Sequence, residues 1–171
     1  MNKIDNIANF LNKKSKKCLA INGPWGIGKT HLWKQVEEKI NDKKVVYIDL
    51  FGKESYKQIL EEIVFKIHGN YNKIMNTFSQ IATKIAKIKS AGTINITPDA
   101  IFSFLKKEDF NNIIVCFDNI ERRSDNLSLK EILGLVNLLK EEKECNVVMI
   151  FHKGELEEQD NNSAINDKKT S

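Results

Sequence analysis

The sequence predicts an α/β fold in which a parallel sheet lies between two layers of helices, and three observations predict it. Strand-like runs alternate with helical periodicity along the chain. A glycine-rich turn joins the first strand directly to a helix. Residues 113–117 (IIVCF), in the third strand at 112–117, are apolar without alternation, as a strand covered on both faces should be. The 171 residues suit one domain, and 41% apolar with 29% charged residues is an ordinary folded composition. The charge balance of +4 is mild, so nucleic-acid binding stays possible but is not supported and ranks behind other readings. No apolar run reaches the ~18 residues needed to cross a bilayer, and residues 1–11 lack a signal-peptide core, so a cytoplasmic location is expected. Cys18, Cys116 and Cys145 have no metal-binding spacing and are expected to be buried and reduced.

Each element has its own local signal. Ile4, Ile7, Ala8 and Leu11 recur at helical spacing. Residues 17–21 (KCLAI) form the first strand and lead into the turn at 23–30. Leu32, Trp33, Val36 and Ile40 share one face of the helix that follows. Residues 45–50 (VVYIDL) are the second strand, closed by Phe51-Gly52. Ser55-Tyr56-Lys57-Gln58 has the form of a capping box, and its helix buries Ile59, Leu60, Ile63, Val64 and Ile67 before Gly69 ends it. A further amphipathic stretch covers 74–88. Thr97-Pro98 opens another helix, with Ile101, Phe102 and Leu105 on its apolar side. Ser128–Glu131 is a second capping box, before Ile132, Leu133, Leu135, Val136 and Leu139. Residues 146–152 (NVVMIFH) are the fourth strand. The expected layout is a core over 1–154, a helical insertion at 53–111 between the second strand and the strand ending at Asp118, and a polar, disordered tail over 155–171.

The chemistry is concentrated in Gly23-Pro24-Trp25-Gly26-Ile27-Gly28-Lys29-Thr30, which fits G-x-x-x-x-G-K-[ST]. Glycines let backbone N–H groups approach phosphate oxygens, and the following helix adds unpaired N–H groups and its positive dipole end. Lys29 supplies a compact cation to the phosphates. Thr30 offers a hydroxyl to Mg²⁺, a hard cation that prefers oxygen. His31 is expected to contribute its backbone N–H. Asp118 ends the apolar third strand, where a carboxylate can hold Mg²⁺ beyond the strand tips. Asn119 stands where many such ATPases carry a glutamate. It can orient a water but cannot accept its proton, which leaves Glu121 as the nearby candidate base. Arg122 and Arg123, the chain's two arginines, are the candidates for stabilising charge on the γ-phosphate. His152 closes the fourth strand, which should lie between the loop strand and the Asp118 strand and so reach the same site. Asn2-Lys3-Ile4-Asp5 spells a guanine-reading tetrapeptide but opens the chain on a helix, so adenine is the expected base. The lysines at 13, 14, 16, 17, 84, 87 and 89 read as solvated faces.

These residues carry a family likeness. The loop GPWGIGKT at 23–30 resembles the GPWGxGKS/T loop of KAP-type P-loop NTPases. Phe117-Asp118-Asn119-Ile120-Glu121-Arg122 resembles their hhhhDDLDR strand end. The resemblance covers roughly residues 4–155 and implies an additional-strand ATPase core related to AAA+ and signalling ATPases. It implies that Lys29 and Thr30 bind phosphate and Mg²⁺, that Asp118 binds Mg²⁺, and that Glu121-Arg122 match the family's acidic–arginine pair. Many members are bacterial and belong to phage-defence or membrane-associated systems. Asn119 stands where the family has its second aspartate, and 53–111 carries no membrane span.

The expectation is therefore a three-layer α/β/α sandwich with a parallel P-loop NTPase sheet, ordered second–third–fourth–first and lacking a fifth strand. ATP and Mg²⁺ are its expected cofactors, and a protein partner or a second copy its expected associate. The leading function is a slowly hydrolysing, nucleotide-controlled switch. The alternatives are a non-hydrolysing nucleotide-binding interaction module and a fragment of a larger KAP-like ATPase. A small-molecule kinase is disfavoured, because two adjacent arginines do not make an arginine-rich lid.

Overall fold

The computed structural model describes residues 2–13, 16–69 and 105–157. The stretch 74–88, the helix start at Thr97-Pro98 with Ile101 and Phe102, Lys14, Lys84, Lys87, Lys89 and the tail from 158 lie outside them. In chain order the elements are helix α1 (Lys3–Asn12), strand β1 (Cys18–Asn22), helix α2 (Lys29–Glu37), strand β2 (Lys44–Asp49), helix α3 (Tyr56–His68), strand β3 (Ile113–Asp118), helix α4 (Leu129–Glu141) and strand β4 (Asn146–Phe151). Single 3-10 turns occupy Lys107–Phe110 and Ile120–Arg122. No helix among the described residues is long and apolar enough to cross a membrane.

The sheet is wholly parallel, in the order β1-β4-β3-β2. This is the predicted order, with β4 between the loop strand and the Asp118 strand. Parallel pairing requires crossovers, and the helices that supply them cover both faces. On one face Ala8 and Leu11 of α1 and Trp33 and Val36 of α2 pack on Ile114, Cys116, Val148 and Ile150. On the other, Ile59, Leu60 and Ile63 of α3 and Ile132, Leu135 and Leu139 of α4 pack on Val46, Ile48, Val115, Phe117 and Val147. Alternate residues of β3 thus serve opposite layers, which is why all six are buried. Each large side chain so covered contributes roughly 1.5–3 kcal/mol of transfer free energy.

The helix ends follow the local chemistry. Asn2 caps α1, its side-chain oxygen accepting from Ile4 N at 2.9 Å. The Asn2–Asp5 tetrapeptide is thus a helix start. Ser128 and Glu131 form the complete capping box predicted for α4. At α3 the box is only half made. Ser55 Oγ accepts from Gln58 N at 3.3 Å, while the Gln58 side chain takes Glu54 N instead of Ser55 N. Gly69 closes α3 in the left-handed region at φ +65°.

Two burial expectations are corrected. Cys18 is exposed, because among the described residues β1 pairs with β4 alone. Cys116 and Cys145 are buried, and burial pushes both thiols up, Cys145 to about 12. Leu133 is 45% exposed, because Ile132, Leu135, Val136 and Leu139 define the core face of α4 and leave it on the far side. Residues 153–157 form a helical turn that brings Leu156 against the α3–α4 core.

Candidate nucleotide-binding site

The strand tips bring the site together. β1 ends at Asn22, and the loop from Gly23 runs into α2 at Lys29. Gly26 at φ +74° and Gly28 at φ +90° occupy backbone conformations that L side chains rarely adopt. No atom lies within 4 Å of where a Cβ would stand on either, whereas a Cβ on Gly23 would meet Ile27 Cγ2 at 3.1 Å and Lys29 Cδ at 3.8 Å. Gly28 is the N-cap of α2 and has no side chain to satisfy the first amides, which stay available to a ligand. Lys29 folds back over the loop, its Nζ donating to Gly23 O at 2.7 Å and to Pro24 O at 3.2 Å. Trp25 and Ile27 are exposed, as is His31 on the first turn of α2.

Asp118 meets this loop. It is only 2% exposed, and its Oδ2 accepts from Thr30 Oγ1 at 2.8 Å. The same oxygen accepts from Tyr47 OH at 2.7 Å, and Oδ1 accepts from Asn119 N at 2.7 Å. Burial, and then the hydrogen bond to Asp118 and its charge, raise the Tyr47 hydroxyl well above the ordinary phenol range, so it stays a proton donor.

The neighbouring candidates have separate partners. Asn119 lies in the left-handed region at φ +56°, and its Nδ2 donates to Asp49 Oδ1 at 2.9 Å, an oxygen that also accepts from Phe51 N at 2.9 Å. Glu121 is 5% exposed and accepts from His152 N at 3.2 Å, joining the turn after β3 to the end of β4. His152 Nδ1 lies 3.8 Å from Glu155 Oε1. The Arg122 guanidinium sits over Phe51, 4.0 Å from the ring centroid, and over Trp25 of the loop at 4.9 Å. Arg123 donates to Leu127 O and Ile120 O, fixing the turn that contains it. Arg122 is therefore brought to the loop, while Arg123 is bound to its own turn.

Three neighbours escaped the sequence reading: Tyr47, Asp49 and Phe51. Each belongs to β2 or its exit, and parallel pairing sets Asp49 beside Asp118 and Tyr47 beside Cys116. The signal available was a tyrosine and an aspartate two apart in an otherwise aliphatic strand, which alternation places on one face.

The residues present fit a magnesium–nucleotide. A hydroxyl and a carboxylate oxygen 2.8 Å apart suit a hard cation, and the glycine-rich loop with its lysine suits a polyphosphate. Among the described residues, four parallel strands with this loop after the first and the strand-end aspartate two strands away define a P-loop NTPase. The chain belongs to the AAA domain family, whose family model matches residues 12–159. It is thus a nucleotide-binding P-loop NTPase of the AAA-like class. No curated protein matches it.

Proposed function

We propose that this protein is a Mg-ATP-binding switch of KAP type that hydrolyses ATP slowly, with residues 1–154 as its nucleotide-binding core. The observation that carries the reading is the 2.8 Å contact between Thr30 Oγ1 and Asp118 Oδ2 at the mouth of the loop. Bound Mg²⁺ would neutralise part of the charge on the β- and γ-phosphates. The chain's own part is positional. Loop amides from Gly23 to Thr30 and the start of α2, His31 N–H included, would cradle phosphate oxygens. Lys29 would exchange its two carbonyl partners for them. Thr30 at the start of α2 and Asp118 at the end of β3 would hold the cation. Arg122, beside the loop, would stabilise charge on the γ-phosphate. The GPWG loop and the Asp118–Arg122 ending support the KAP-type assignment, and through it a role in a bacterial defence-type system in which nucleotide state controls association with a protein partner or a second copy.

The test is Mg-ATP binding by calorimetry in the wild type, Lys29→Ala and Asp118→Asn. Lys29→Ala is expected to weaken binding at least tenfold and Asp118→Asn to remove most of the Mg²⁺ dependence. Equal affinity in wild type and Lys29→Ala overturns the reading.

A second reading, a non-hydrolysing nucleotide-gated module, is favoured by the position after Asp118. Asn119 cannot accept a proton, and its amide donates to Asp49. Glu121, the alternative base, is buried and accepts from His152 N. Turnover of labelled ATP separates the two. A rate above background that Glu121→Gln abolishes supports the slow ATPase, and a wild-type rate equal to background supports the module.

A further inference from the structure

Asp118 is an almost fully buried carboxylate on which three donors converge. Thr30 Oγ1 and Tyr47 OH both reach Oδ2, at 2.8 and 2.7 Å, and Asn119 N reaches Oδ1 at 2.7 Å. A carboxylate oxygen has about two acceptor sites. Both on Oδ2 are taken and one remains on Oδ1, so the side chain is confined to a single orientation. Thr30 approaches from α2, Asn119 from the residue next in chain, and Tyr47 from the neighbouring strand.

Tyr47 is itself held at both ends. Its ring packs in the layer beneath α1 and α2. Its carbonyl accepts from Lys66 Nζ of α3 at 2.5 Å, and Lys66 is paired with Glu62 at 2.7 Å. A hydroxyl on a fixed ring is a fixed donor, whereas the threonine hydroxyl is a group that a cation would also engage. We propose that Tyr47 is a positioning residue for the divalent-cation site, holding the Asp118 carboxylate in the orientation that faces Thr30. The inference rests on the Mg²⁺ reading of Thr30 and Asp118. It adds a residue from β2 to a site otherwise drawn from α2 and the end of β3.

Partners that orient a metal-binding group change metal affinity by about 10–100-fold when removed. Tyr47→Phe keeps the ring and deletes only the donor. Two titrations on the full chain compare it with wild type: ATP binding in EDTA, and Mn²⁺ binding at saturating ATP followed by electron paramagnetic resonance. Mn²⁺ serves as an oxygen-preferring stand-in for Mg²⁺. The expected result is unchanged ATP affinity in EDTA and a rise of about tenfold in the Mn²⁺ concentration for half-saturation. Coincident Mn²⁺ curves overturn the proposal, as does a loss of ATP affinity in EDTA of the same size, which would make Tyr47 a packing residue. Should Tyr47→Phe lower the unfolding midpoint, the comparison is made at a temperature where both proteins are folded. A wild type whose ATP binding ignores Mn²⁺, with Asp118→Asn equally silent, overturns the metal site itself and Tyr47's role with it. If Asp118→Asn loses Mn²⁺ while Tyr47→Phe does not, the Tyr47 assignment alone fails.

Discussion

Asn119 tolerates φ +56° because its short amide is among the few side chains that enter the left-handed region readily, and Asp49 then fixes which end of the amide faces which way. Replacing Asn119 by Asp would set a carboxylate against Asp49 where a 2.9 Å hydrogen bond stood. Asn119→Asp alone is expected to cost about 1–2 kcal/mol, the loss of a hydrogen bond plus like-charge contact. Adding Asp49→Asn reverses the donor and acceptor and should recover most of it. A double-mutant cycle in urea is expected to give a coupling of about 1 kcal/mol or more. Additive effects would show that the pair does not act as a unit.

The turn leaving β2 is fastened to its neighbours by charge and by aromatic faces. Glu62 of α3 pairs with Lys53 of the turn and with Lys66 one helical turn on, both at 2.7 Å. Burial pushes the Glu62 carboxyl up, but the two ammonium groups outweigh it and hold it below the ordinary glutamate range. A carboxyl depressed in the folded state stabilises the fold above its unfolded value near 4.3. That contribution is lost as pH falls through the lower, folded value. Glu62→Gln should therefore cost roughly 0.5–1 kcal/mol at pH 7, a partly solvated pair being modest. The difference from wild type should shrink below about pH 4. A constant difference from pH 7 to 3 would remove the ion pair as its cause. Nearby, Arg122 joins Phe51 of the turn to Trp25 of the loop, and its carbonyl accepts from Gly52 N at 3.4 Å. Arg122→Ala should lower stability by about 1 kcal/mol, and Arg122→Lys should recover only part, since an ammonium lacks the planar stacking face. Full rescue by lysine would mean that charge alone matters there.

Two helical layers clamp one sheet, and the proposed ligand site lies along its carboxyl edge, so binding should stabilise the whole unit. At Mg-ATP concentrations about 100 times Kd, linkage gives about 2.7 kcal/mol. For a chain of this size that is a rise of roughly 5–11 °C in the unfolding midpoint. Lys29→Ala, with binding at least tenfold weaker, should show at most about half that rise at the same concentration. A ligand-free midpoint that Mg-ATP leaves unmoved in the wild type would contradict the nucleotide site.

Much of this was legible from local chemistry. The loop at 23–30 is read directly, because its motif is a property of eight consecutive residues. The strand covered on both faces is read from NIIVCF, because alternation disappears when both faces are buried. The helix starts at Ser55 and Ser128 are read from side chains that reach only three residues ahead. Tertiary structure alone decided the rest. It left Cys18 exposed on a strand that reads as apolar, since sequence does not say which strand has a single neighbour among the described residues. It brought Tyr47 and Asp49 to the site, since parallel register relates residues some seventy positions apart through hydrogen bonds that no short motif records. Contacts within a few residues leave a periodic trace in the chain, and contacts across the sheet arise only when crossovers and packing choose the neighbours.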